Sequence, residues 1–96
     1  MSLVISIREG SDFYVQDTRY TVRNIQDSSF SIQKSGGNHD VWFIDDSKMQ
    51  EIYPFVRVSC GRGSQLNANG VLEASLVFDA PRNILILRGD LYRKPK

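Results

Sequence analysis

The strongest constraint in this sequence is a two-residue alternation of side-chain type that recurs along most of the chain. Leu3, Ile5 and Ile7 occupy every second position near the start, the pattern of a strand with one face toward a core. The same alternation predicts further strands over residues 13–15, 20–25, 30–32, 55–60, 71–78 and 84–87. Without an internal repeat or a long helical pattern, the sequence predicts an all-β fold of short antiparallel strands, a small barrel or sandwich-like sheet.

The middle of the chain departs from this alternation. Residues 41–44, Val-Trp-Phe-Ile, form a continuous apolar run that predicts a buried strand. The polar residues Asp45-Asp46-Ser47 predict a cap for one helical turn over residues 48–52, with Glu51 near the capping-box position. Pro54 ends any such turn.

Length, composition and cysteine content limit the class of protein. The 96 residues allow one domain with one core, and an apolar fraction of 41% is ordinary for a folded chain. No apolar run approaches the ~20 residues of a membrane helix, and we expect neither a signal peptide nor a membrane partner. The single cysteine, Cys60, excludes an intrachain disulfide and fits a reducing compartment, so the predicted location is cytoplasmic.

The charge is uneven although the net charge is only +1. Residues 82–96 hold five basic residues and one acid, Asp90, whereas the rest of the chain is mildly acidic. Such a basic segment is typical of a phosphate-binding surface, and it is equally typical of a solvated tail. Both interpretations stay open on charge alone.

Catalytic and metal chemistry have little support. The single histidine, His39, lies in a polar loop and is expected to be solvated, and Cys60 lies on a predicted strand as a small core residue. Asp45 and Asp46 are adjacent at a strand end and point apart. Residues 61–64 lack the lysine and the length of a phosphate-binding loop and predict an exposed loop. We therefore predict no enzyme, no metal and no cofactor.

The most specific motif lies in residues 76–93. A strand is followed by Ala80-Pro81, a basic residue, an alternating aliphatic strand, Arg88, and then Asp90-Leu91-Tyr92. This order resembles the C-terminal half of the carbon storage regulator family. Residues 3–10 resemble the family's opening strand and its glycine, and the likeness extends over about residues 3–32 and 70–94.

The resemblance implies a fold and an assembly. The family folds as short antiparallel strands in an intertwined homodimer, in which the first and last strands of one chain pair with the other chain. Its members are shorter than this chain, so residues 33–69 are predicted to be an inserted, β-rich lobe of a single domain. A short helical turn or tail is predicted from Gly89 onward.

The resemblance also implies a function, a partner and a set of residues. Family members bind GGA-containing loops of mRNA leaders and modulate translation or mRNA stability, so the implied partner is single-stranded or hairpin-loop RNA and not DNA. Arg88 matches an arginine that the family uses on RNA, Arg8 a basic position, and Ile5 and Ser6 an aliphatic and a hydroxyl position. The predicted RNA-binding residues are Arg88, Arg8, Ile5, Ser6, Ala80, Pro81, Arg82, Arg93 and Lys94.

Two departures from the family pattern favour an alternative function. Ile7 stands where the family has a basic residue, so the surface is expected to lose one positive charge, and Glu9 adds a negative one. Arg88 can also be interpreted as a partner in a surface salt bridge with Asp90 or another carboxylate. The alternative is therefore a non-enzymatic structural or protein-interaction module on the same fold that has lost RNA binding.

Overall fold

Every element formed by the described residues is a β-strand. The computed structural model describes residues 2–36, 40–61, 65–66 and 68–89. These residues form no helix long and apolar enough to cross a membrane. The strands are β1 (Ser2–Arg8), β2 (Asp12–Val15), β3 (Thr18–Arg23), β4 (Ser29–Lys34), β5 (Val41–Asp45), β6 (Gln50–Tyr53), β7 (Val56–Cys60), β8 (Gln65–Leu66), β9 (Leu72–Asp79) and β10 (Ile86–Arg88).

The strands form two antiparallel sheets. The first sheet has the order β1-β9-β7-β6, with the short β8 also paired to β9, and the second has the order β10-β2-β3-β4-β5. The chain leaves the first sheet after β1, runs through β2 to β5 as a meander, and returns to the first sheet at β6. The last described strand, β10, returns to the second sheet and pairs with β2. The predicted all-β, antiparallel character is confirmed.

The core lies between the inner faces of the two sheets. Phe13 of the second sheet packs edge-on against Phe78 of the first, with ring centroids 5.3 Å apart and planes at 81°, and stacks on Tyr20 at 5.2 Å. This is the interdigitation expected of facing sheets. The buried apolar residues are Ile7, Phe13, Val15, Tyr20, Val22, Phe30, Ile32, Ile44, Ile52, Val56, Val58, Cys60, Ala74, Leu76, Phe78 and Ala80.

The helical turn predicted over residues 48–52 is wrong, because residues 50–52 belong to the strand β6 and residues 48–49 have no regular structure. Ile52 is buried in the core and Gln50 pairs with Val58 of β7, so pairing and burial decide the local structure. Only the Asp45–Ser47 part of the predicted capping signal is present, because the carboxylate of Glu51 accepts a hydrogen bond from the N–H of Phe55 at 3.1 Å. The backbone N–H and the hydroxyl of Ser47 donate to Asp45 Oδ1 at 3.0 and 2.7 Å, and these bonds lower the pKa of Asp45. This turn leads into a strand.

The run 41–44 is a strand, but the expectation that it is buried throughout is wrong. β5 is an edge strand of the second sheet, and it alternates between the core and solvent. Ile44 is fully buried, whereas Val41 and Phe43 are 58% and 59% exposed. The side-chain amide of Gln50 donates to the carbonyl oxygen of Phe43, which covers this part of an edge that is otherwise open to pairing.

The segment 33–69 is rich in β-structure and shares the common core. β5 pairs with β4, and β7 pairs with β9. Its described residues contribute Ile44, Val56 and Val58 to the same core as the rest of the chain. The predicted loop 61–70 contains the two-residue strand β8. Of the predicted C-terminal helical turn or tail, only Gly89 is described, and it has a helical conformation; residues 90–96 lie outside the described residues.

Candidate functional site

A cavity of about 290 Å³ lies where the ends of β1, β9, β2 and β10 meet. β1 and β10 are edge strands of their respective sheets, so the cavity opens between the two sheets at one side of the molecule. Its lining is mostly polar. The lining residues are Ser6, Ile7, Arg8, Ser11, Asp12, Glu73 and Arg88.

The turn between β1 and β2 shapes one wall of the cavity. Gly10 has a φ of 81°, a left-handed conformation that glycine adopts without strain, and its N–H donates to the carbonyl of Val22 at 2.9 Å. The N–H of Arg8 donates to Ser11 Oγ at 2.8 Å, and the N–H of Ser11 donates back to the Arg8 carbonyl at 2.9 Å. These bonds carry the chain from the first sheet to the second and hold Arg8 at the cavity.

The cavity combines arginines with carboxylates. Arg8 lies directly opposite Glu73 in the register of β1 and β9. The Asp12 side chain is only 10% exposed, and its Oδ2 accepts a hydrogen bond from Nε of Arg19 at 2.8 Å. Arg88 ends β10 on the other side. The lining itself holds two arginines and two carboxylates, so its formal charges balance.

Ile7, the residue that departs from the family pattern, lies in the core and not on the exposed face of β1. Ile7 is 2% exposed, whereas its neighbours Ser6 and Arg8 are exposed on the opposite face of β1. The alternation of β1 therefore places the isoleucine between the sheets. Whether the missing basic residue weakens RNA binding stays a prediction.

Of the residues that the resemblance implies, Ser6, Arg8 and Arg88 line the cavity together. The remaining described ones do not line it. Ile5 is half-buried and packs against the core, and Ala80 is a core residue that is 4% exposed. Pro81 and Arg82 are exposed, and they follow β9 at the end opposite Glu73. Arg93 and Lys94 lie outside the described residues.

Sequence reasoning missed four residues of the site: Ser11, Asp12, Arg19 and Glu73. Asp12 and Arg19 lie on the neighbouring strands β2 and β3, and a carboxylate and an arginine seven residues apart on either side of a short turn are a signal for cross-strand pairing. Glu73 reaches the site only through the pairing of β1 with β9. Strands this distant in sequence offer no local signal for their register.

Other chemistry-bearing residues stay apart from this cavity. Cys60 is 3% exposed, as expected for a core residue, and burial raises the pKa of its thiol. His39 lies outside the described residues. Across the described ranges, no three His, Cys, Asp or Glu side chains are grouped as a metal site.

Comparison with protein-family models, with curated proteins and with solved structures finds no match to this chain. The fold and the cavity therefore define the class: a small antiparallel protein of two facing sheets, with an arginine-containing polar cavity between two edge strands.

Proposed function

We propose that this chain is an RNA-binding post-transcriptional regulator that binds GGA-containing loops through the cavity between β1 and β10. The observation that carries the proposal is the common position of Ser6, Arg8 and Arg88. These residues come from opposite ends of the chain, and the resemblance to carbon storage regulators implies all three as RNA contacts.

The chemistry of the lining suits an unpaired RNA segment. Arginine donates two parallel hydrogen bonds to a guanine edge and also neutralises phosphate. Serine hydroxyls donate and accept, and they suit 2′-hydroxyls and base edges, which single-stranded loops expose. The carboxylate of Glu73 accepts from base amino groups. This combination of arginine, serine and glutamate side chains favours hydrogen bonding to base edges over purely electrostatic binding of phosphate.

The proposed assembly is a homodimer. The resemblance implies that the first and last strands pair with a second chain, whereas here β1 pairs with β9 and β10 with β2 in one chain. Exchange of these edge strands between two chains would reproduce the same registers, as domain swapping does. A dimer would then carry two such cavities, and the unexchanged chain already contains every described residue of one.

Fluorescence anisotropy with labelled RNA hairpins tests the function. The wild-type protein is expected to bind a hairpin with GGA in its loop more tightly than a hairpin with the loop scrambled, at several salt concentrations. A DNA hairpin of the same sequence serves as a control for 2′-hydroxyl recognition. Equal affinity for all three hairpins contradicts the proposal.

A second candidate function is a protein-interaction module, which exposed apolar side chains favour. Val41 and Phe43 share the outer face of β5, and Phe55 is 76% exposed in the turn after β6. Contiguous exposed apolar residues mark interaction surfaces. If this function is the main one, Phe43→Ser alters self-association or partner binding, whereas RNA affinity is absent in the wild type and stays absent.

A further inference from the structure

The carboxylate of Asp12 lies between two groups at the edge of the cavity. Its Oδ2 accepts the hydrogen bond from Nε of Arg19 at 2.8 Å. Its other oxygen lies against Gly89, since a β-carbon at residue 89 would overlap this carboxylate. The Asp12 side chain is 10% exposed, so its charge is enclosed between the hydrogen bond from Arg19 and the packing contact with Gly89.

Gly89 directly follows Arg88, the last residue of β10. β10 has only three residues, and it pairs only with β2 among the described strands, with Arg88 opposite Phe13. So short a strand fixes its own end weakly, because few backbone hydrogen bonds hold it. The packing of Gly89 on Asp12 adds a fixed point one residue beyond Arg88.

We propose that Asp12 is a positioning residue that sets Arg88 at the cavity. Arg19 fixes the carboxylate by a hydrogen bond, and the carboxylate packs against the backbone at Gly89. The position of this backbone then directs the Arg88 side chain toward the lining formed by Ser6 and Arg8. The inference rests on the proposed RNA-binding function. It adds a residue that the resemblance does not implicate.

The close approach also explains why residue 89 is glycine. Gly89 is buried, and any side chain there would have to displace a carboxylate that Arg19 already holds. Bidentate recognition depends on direction, because both N–H groups of the guanidinium must meet the base edge. A small displacement of the strand end therefore reduces base selectivity more than it reduces general attraction to phosphate.

A double-mutant cycle on the full chain tests the proposal, with the GGA-loop and scrambled hairpins as probes. Asp12→Ala is expected to weaken GGA-loop binding by about threefold to thirtyfold, a value within the range found for coupled neighbours, and to affect the scrambled hairpin less. In the Arg88→Ala background the same substitution is expected to change nothing. Asp12→Asn retains an oxygen toward Arg19 and should retain more affinity than alanine.

Gly89→Ala provides a second, independent test of the contact between Asp12 and Gly89. In the wild type it is expected to reproduce the loss seen with Asp12→Ala, because the new methyl group displaces the carboxylate. In the Asp12→Ala background it should cost nothing further, since the space is then empty. The matched control is Asp79→Ala, which breaks the Arg57–Asp79 ion pair of the first sheet and should leave the ratio of the two RNA affinities unchanged.

The outcomes separate the inference from the function. If the wild type selects the GGA loop and Arg88→Ala abolishes that selection, but Asp12→Ala acts equally with and without Arg88, the positioning role is overturned and RNA binding stands. If Asp12 variants lower only thermal stability, the role is overturned as well. If Asp12→Ala does not fold, Arg19→Gln replaces it, because the Arg19 side chain is 47% exposed. If Arg19→Gln keeps the wild-type selectivity, the inference is overturned. A wild type without RNA selectivity overturns both.

Discussion

The hydroxyl of Tyr20 donates a 2.7 Å hydrogen bond to the carbonyl oxygen of Ile52, and so joins the second sheet to the first inside the core. Tyr20 is fully buried. Burial, together with the nearby Tyr53 and Asp40, raises the pKa of Tyr20 to about 12. The bond satisfies a polar group where water is excluded, and such bonds are costly to break on one side only.

Tyr20→Phe is expected to lower the free energy of unfolding by ~1–3 kcal/mol, because the substitution removes the buried hydrogen bond that the Ile52 carbonyl accepts from the Tyr20 hydroxyl. Urea denaturation followed by tryptophan fluorescence measures this loss. Tyr53→Phe is the matched control, since Tyr53 is only half-buried. Equal losses in the two variants would contradict the importance of the Tyr20–Ile52 bond.

The raised pKa of Tyr20 predicts a loss of stability at high pH. The folded protein keeps the Tyr20 proton up to about 12, whereas the unfolded chain releases it near the ordinary value of about 10. The stabilisation is complete below pH of about 10 and is lost as pH rises toward 12, by roughly 2–3 kcal/mol from this group. Unfolding measured from pH 8 to 12 should show a shallower decline in Tyr20→Phe; identical slopes would contradict the prediction.

The opposite faces of β1 predict opposite responses to a new charge. Ile7→Arg places a cation in the core and is expected to destabilise the fold by several kcal/mol or to prevent folding. Ser6→Arg places the same side chain on the exposed face and is expected to cost about 0.5 kcal/mol or less. Thermal unfolding of the two variants checks this, and a folded Ile7→Arg protein as stable as Ser6→Arg would overturn the register of β1.

The proposed homodimer follows from the edge strands. Among the described strands, β1 pairs only with β9 and β10 pairs only with β2. Each therefore presents a second edge, and Val4 beside one of these edges is 60% exposed. Light scattering after size-exclusion chromatography should give the mass of two chains at micromolar concentration. The mass of one chain throughout this range would rule out an obligate dimer.

The strands were predictable wherever local alternation decides the structure. Phe13 and Val15 are buried as the period of two requires, and so are Val56 and Val58. The segment 48–52 was not predictable in this way, because Asp45 and Ser47 form the local turn of a helix cap while Ile52 is drawn into a distant core. Burial outweighed the capping signal.

The site was predictable only in part. The resemblance implied Ser6, Arg8 and Arg88, which meet at one cavity. It did not indicate Asp12 or Glu73, because their positions depend on strand register and on packing across the sheets. Register between distant strands is set by the whole hydrophobic pattern and not by any local motif.

The RNA selectivity of Arg88→Ala shows directly whether the cavity between β1 and β10 reads RNA. We expect this variant to bind the GGA-loop hairpin ~1–3 kcal/mol more weakly than the wild type, the value of one good arginine–base contact, while its affinity for the scrambled hairpin changes less. Arg82→Ala is the matched control. Arg82 is exposed beyond the far end of β9, and that end, Asp79, lies roughly 20 Å along the strand from Glu73. Its selectivity should equal that of the wild type. If Arg88→Ala keeps the wild-type ratio of the two affinities, or loses no more of it than Arg82→Ala, then the cavity between β1 and β10 is not an RNA-reading site.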